Sequence, residues 1–142
     1  MNIGDGNGGV RRMSNDIAAK SHVKYSRWGF AACAWIFALL VAVQVFIAGL
    51  ATFVDPAHWN THTHFVPVME VFPLLMFILS FFGRVPAALR WWSLFLIALI
   101  VLQYVTANLD SAPAVGALHP VIAMIMFWVA VFVATRAPIK SP

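Results

Sequence analysis

Four long apolar runs separated by short polar breaks dominate the pattern of hydrophobic and polar positions along the chain. The runs cover roughly residues 28–54, 62–82, 91–109 and 118–135. Each is close to the ~20 residues that an α-helix needs to cross a hydrocarbon core about 30 Å thick. Because the breaks are short, successive helices are expected to be antiparallel neighbours. The pattern predicts an all-α protein, an integral membrane four-helix bundle with up-and-down topology.

The composition favours a membrane protein over a soluble one. Of the 142 residues, 62% are hydrophobic and 10% are charged, against about 45–50% apolar and about 25% charged in a soluble globular domain. The net charge of +4 does not indicate a nucleic-acid partner, because the basic residues flank the apolar runs. The expected surroundings of the chain are a lipid bilayer.

The basic residues fall in three regions that four membrane crossings would place on one side: before the first run, between the second and third, and after the last. They are Arg11, Arg12, Lys20, Lys24, Arg27, Arg84, Arg90, Arg136 and Lys140. Basic residues in short loops mark the cytoplasmic side, so both termini are predicted to be cytoplasmic, in a bacterial inner membrane. Residues 1–21 are rich in Gly, Asn, Asp and Ser and are expected to form a flexible cytoplasmic tail. Residues 22–136 would form the membrane domain, and residues 137–142 a second tail.

The two halves of the chain share a short pattern that suggests a duplicated helix pair. Segments 43–50 and 102–109 have Gln, Ala and Leu at the same spacing. In each half an outer loop and a histidine follow, either His62 or His64 in the first half and His119 in the second. A duplication would put the second and fourth helices in equivalent positions around a pseudo-two-fold axis along the membrane normal.

Histidines gather where the chain enters its second apolar run. His58, His62 and His64 lie within seven positions, and His119 opens the last run. At about 100° per residue, His62 lies on the same side of a helix as Glu70, whereas His64 lies on an almost purely apolar stripe. Polar groups in a membrane face the protein interior, because an ionised side chain at mid-bilayer costs at least about 2.5–3.5 kcal/mol. His62 is therefore the better interior candidate. His64 stays an alternative, because the two prolines that follow it can kink the helix.

The two interior histidines are expected near the same end of the bundle, on parallel helices that lie diagonally opposite. This is the arrangement of a bis-histidine haem b site. Such a site needs axial imidazoles on opposite faces of the haem, an apolar slot and a polar exit for the propionates. The predicted iron ligands are His62 and His119, with His64 as the alternative ligand. Gln44 and Gln103 would hydrogen-bond within the interior or to the haem edge.

Both Glu70 and the cluster of histidines at the start of the second run have more than one interpretation. Glu70, the ionisable residue deepest in an apolar run, would be a proton-coupled group, a partner for the cofactor, or a neutral carboxyl hydrogen-bonded to Gln44 or Gln103. A zinc site formed by His58, His62 and His64 is an alternative, since imidazole suits zinc.

Several short segments resemble a family of small bacterial four-helix membrane proteins of uncharacterised function, over about residues 28–135. They are Gln44-x-x-x-Ala48-Gly49-Leu50, Trp59-x-x-His62, Phe65 with Glu70-x-x-Pro73, and Leu118-His119-Pro120-Val121. The chain is also distantly similar to one four-helix half of the haem A synthase family, whose bundles ligate haem through histidines on their second and fourth helices. That resemblance implies His62 and His119 as axial ligands. It does not extend to catalytic haem oxidation, because the chain has one bundle where that family has two and its acid follows His62.

The predicted function is therefore a b-type cytochrome that holds haem b near the outer leaflet, for electron transfer or haem handling. A membrane redox partner is expected, and no residue is predicted to be catalytic. Two alternatives belong to other classes. One is a cofactor-free structural or accessory subunit, and the other is a small transporter that uses Glu70 within a homo-oligomer.

Overall fold

The computed structural model describes residues 6–109 and 112–139, and this part of the chain is helical with no β-strand. The helices are α1 (Gly6–Phe53), α2 (His58–Phe82), α3 (Ala87–Ala107), the single turn α4 (Pro113–Gly116) and α5 (Leu118–Arg136). Four of them, α1, α2, α3 and α5, are long and apolar enough to cross a membrane. The predicted all-α bundle of four helices that could each cross a membrane is confirmed.

The four long helices form a ring in which each packs against its two neighbours. Helix α1 packs against α2 and α5, and α3 packs against the same two helices. Helices α2 and α5 therefore lie on one diagonal and α1 and α3 on the other. Since the connections are short, consecutive helices run antiparallel, and α2 and α5 begin at the same end of the bundle.

The core lies where the four helices meet, and large apolar side chains also cover the outside. Phe37, Met76, Leu96 and Val133 are fully buried, whereas Phe46 is 66% exposed. An apolar exterior of this kind is what lipid requires, because the bilayer is as apolar as the side chains themselves.

Helix α1 is much longer than its apolar run. The structure differs here from the predicted flexible tail, because residues 6–21 continue the helix, and residues 9–20 are exposed. Extending a helix that already exists avoids the cost of nucleation, and Ala18, Ala19 and Lys20 are good helix formers. Residues 1–5 and 140–142 of the two predicted tails lie outside the described residues.

A tight contact joins α1 to the turn between α2 and α3. Gly83 ends α2, and its carbonyl oxygen accepts a hydrogen bond of 2.8 Å from Nε of Arg27. A Cβ atom on Gly83 would lie 3.1 Å from the carbonyl oxygen of Leu79 and 3.2 Å from the backbone nitrogen of Arg27. Both neighbours are backbone atoms, so they cannot move aside as a flexible side chain can.

We expect Gly83→Ala to lower the free energy of unfolding by about 1–3 kcal/mol, because the added methyl group forces α1 away from the turn. Gly49→Ala is the matched control, since a Cβ there meets nothing within 4 Å. That substitution should leave stability unchanged or raise it by up to about 1 kcal/mol. Thermal unfolding in detergent measures both variants. Equal melting temperatures for Gly83→Ala and Gly49→Ala would contradict the close packing of α1 against the turn at Gly83.

Candidate cofactor site

A cavity of about 300 Å³ lies between the four long helices. It extends from the end where α2 and α5 begin to about the middle of the bundle. Buried core side chains, among them Phe37, Met76 and Leu96, fill the other half. The cavity is therefore a closed-ended pocket within the bundle.

The cavity lining repeats around the bundle axis. Residues of α1 have counterparts at the same spacing on α3, namely Val41, Gln44, Val45 and Ala48 against Ile100, Gln103, Tyr104 and Ala107. Residues of α2 likewise have counterparts on α5, namely His62, Thr63, Val66 and Met69 against His119, Pro120, Ala123 and Met126. A duplicated helix pair would produce this arrangement. Glu70 and Asn108 complete the lining, and the residues at the corresponding positions, Phe127 and Gly49, do not line this cavity.

His62 and His119 face each other across the cavity. Their ring centroids are 6.2 Å apart, and the ring planes are inclined by 55°. Trp59 packs edge-on against His62, with ring centroids 5.5 Å apart. Among the described residues, the Nδ1 atoms of both histidines are buried and have no hydrogen-bond partner.

The two glutamines add two more unpartnered polar atoms to the same cavity. Gln44 is 6% exposed, and its Nε2 donates a hydrogen bond of 2.9 Å to the backbone carbonyl of His62. The Oε1 atoms of Gln44 and Gln103 are buried without a partner in the described part of the chain. A buried polar group that lacks a partner costs about 1–3 kcal/mol. Two imidazole nitrogens and two amide oxygens therefore still need hydrogen-bond partners. A ligand could supply these partners, or the four atoms could bond to one another.

The other predicted ligands lie away from the cavity. His64 is exposed, and its Nδ1 lies 2.8 Å from the carbonyl oxygen of Asn60. His58 begins α2 and does not line the cavity. Within residues 6–109 and 112–139, no group of three or more His, Cys, Asp and Glu side chains is placed to hold a metal ion. The zinc hypothesis for His58, His62 and His64 thus gains no geometric support.

Glu70 has a partner that the sequence reasoning did not identify. The hydroxyl group of Tyr104 donates a hydrogen bond to Oε1 of Glu70, whereas the expected partners were Gln44 or Gln103. Tyr104 is the residue directly after Gln103, on α3. The available signal was a hydroxylated ring inside the third apolar run, in the last turn of α3.

Comparison with protein-family models finds a match over residues 44–109 to DUF6220, a family of unknown function. No curated protein and no solved structure matches the chain. The family match is consistent with the predicted resemblance to an uncharacterised family, and no likeness to haem A synthase is found. The matched segment contains Gln44, His62, Glu70 and Gln103 but ends before His119. Over that segment, the chain is similar to a family whose function is unknown.

Proposed function

We propose that this chain is a membrane-embedded b-type cytochrome in which His62 and His119 would hold one haem b. The supporting observation is that two histidine rings on diagonal helices meet at one cavity with their centroids 6.2 Å apart. Two imidazoles on opposite sides of one metal ion, each bound at about 2.0 Å, have centroids roughly 6 Å apart. The separation therefore suits a single metal ion between the two rings.

The unpartnered atoms of the cavity suit this ligand pair. A histidine ligates a metal through one ring nitrogen, and an acceptor for the other N–H group fixes the tautomer and the orientation of the ring. There are two buried Nδ1 atoms and two buried amide oxygens, on Gln44 and Gln103. A protonated Nδ1 is a donor and an amide oxygen is an acceptor, so each histidine could have one glutamine as its partner. With Nδ1 protonated, Nε2 of each ring keeps its lone pair for iron.

The rest of the cavity supplies an apolar slot. The small side chains Ala48, Ala107 and Ala123 line it, with Met69 and Met126 at its deeper end. Its volume is at the lower end of the ~300–1,000 Å³ typical of ligand pockets. A bound haem would supply reversible one-electron chemistry, and its porphyrin would bind the iron without further side chains of the protein. Two protein ligands therefore suffice, and no third metal-binding side chain is required.

The basic residues support an orientation for this site. Arg27 and Arg90 lie at the end of the bundle opposite the histidines, where Arg27 bonds to Gly83 and Arg90 to Ser80. Short basic loops mark the cytoplasmic side. We therefore place both termini in the cytoplasm of a bacterium and the haem near the outer leaflet of its inner membrane. The role we propose is electron transfer or haem handling for a membrane partner.

The haem ligands are tested by a reduced-minus-oxidised visible spectrum of the detergent-purified protein. We expect a sharp low-spin b-type band that His62→Ala and His119→Ala each abolish, because each removes one of the two residues proposed to hold the iron. His64→Ala is the matched control and should keep the band, since His64 is exposed. Gel filtration shows whether each variant is folded. A colourless wild-type protein that also fails to take up added haem would rule out the cytochrome.

The glutamines are tested by titrating haem into the haem-free protein. Gln44→Leu and Gln103→Leu should each weaken haem binding by about 10–100-fold, the usual effect of losing an outer-shell partner of a metal ligand. Thr106→Val is the control, because the buried hydroxyl of Thr106 bonds within its own helix. If all three variants bind haem as the wild type does, the glutamines do not orient the histidines.

The orientation is tested by reporter fusions in a bacterial host. Alkaline phosphatase needs disulfides, which form outside the cytoplasm, so it should be inactive at the C-terminus and active when inserted after Asp55. Green fluorescent protein at the C-terminus is the complementary control and should fluoresce. The reverse pattern of activities would place the haem site at the cytoplasmic side.

A further inference from the structure

The two-fold pattern of the cavity is broken on the side between α2 and α3. Glu70 and Tyr104 meet there through the hydrogen bond from the Tyr104 hydroxyl. On the side between α1 and α5, the residues at the corresponding positions are Phe127 and Val45, which border an apolar groove with Trp128. The repeated scaffold therefore carries one polar wall and one apolar wall.

The two side chains of the polar wall are partly exposed. Glu70 is the central residue of the 25-residue helix α2, so it lies near mid-membrane, where a carboxyl group is costly and marks a functional site by default. It is only partly buried, and Tyr104 is 45% exposed. Both side chains also line the cavity. In a bilayer, the exposed part of the pair would face lipid between α2 and α3.

We propose that Glu70 and Tyr104 bind the head group of a lipid-soluble quinol that enters from the bilayer between α2 and α3. Oε1 of Glu70 accepts the Tyr104 hydroxyl, and Oε2 has no hydrogen-bond partner among the described residues. A quinol hydroxyl donates to such an oxygen, while the exposed phenol ring of Tyr104 offers a face for the quinol ring. The apolar tail of the quinol stays in lipid.

The position of this wall relates it to the proposed haem. Glu70 lies eight residues from His62 on α2, about 12 Å along the helix, so a bound head group would sit beside the proposed haem. The choice of a quinol among hydroxylated lipids rests on the proposed function, because quinols are lipid-soluble electron donors.

The test measures equilibrium binding of labelled decylubiquinol to the full chain in lipid nanodiscs. Glu70→Gln and Tyr104→Phe should each raise the dissociation constant by about ten-fold or more. The first replaces one carboxylate oxygen with an amide N–H donor, which cannot accept from the quinol, and the second removes the hydroxyl group that bonds to Glu70. Asp16→Asn and Tyr25→Phe are the matched controls, because both residues are exposed on α1 outside the cavity. Decanol, an alkyl chain with a hydroxyl group but no ring, should not compete.

The visible spectrum of the same samples separates this proposal from the cytochrome itself. If the haem band is present but quinol binding is absent, or is unchanged in both cavity variants, the quinol site is wrong and the cytochrome stands. If the protein is colourless but binds quinol through Glu70 and Tyr104, the cytochrome is wrong and the quinol site stands. Equal competition by decanol would overturn the assignment to a quinol. Should Glu70→Gln fail to fold, Tyr104→Phe decides alone.

Discussion

Inside a lipid-surrounded bundle, a polar atom must find its partner in the protein or in a ligand, because no bulk water reaches it. Most polar groups of this chain obey the rule locally. Ser80 and Ser93 are fully buried, and each donates to a carbonyl of its own helix. Gln44 uses its amide nitrogen on the backbone of His62. In the described residues, the buried side-chain atoms that lack a hydrogen-bond partner all belong to residues lining one cavity. The proposed function is based on those atoms.

A repeated helix pair would explain why the cavity has two similar sides. When α3 and α5 repeat the packing of α1 and α2, any residue pointing at the central axis meets its own counterpart across the diagonal. One histidine per pair then gives two opposed imidazoles, and one glutamine per pair gives two opposed amides. Positions at which the two halves differ indicate where the two sides of the bundle differ in chemistry. Glu70 and Tyr104 occupy such positions, and they give the bundle one side that differs chemically from the other.

The sequence could predict the helices because each apolar run is long and nearly uninterrupted. Periodicity along one helix also separates His62 from His64 by about 200°, and the structure has His62 on the cavity and His64 exposed. That these histidines ligate haem stays a prediction. The hydrogen bond between Glu70 and Tyr104 was beyond the sequence, since it depends on the relative rotation and depth of two helices. The start of α1 at Gly6 was not predicted. The composition of residues 1–21 suggested a flexible tail, whereas residues 6–21 continue the helix that follows them.

The length of α1 has a mechanical consequence. A helix rises about 1.5 Å per residue, so the 48 residues of α1 span about 70 Å, more than twice the thickness of a hydrocarbon core. The part before Arg27 therefore stands as a rod of about 30 Å on the side of the bundle away from the histidines. A group attached before Gly6 would be held about 30 Å from the bundle. A partner that docks on that end of the bundle must approach alongside the rod.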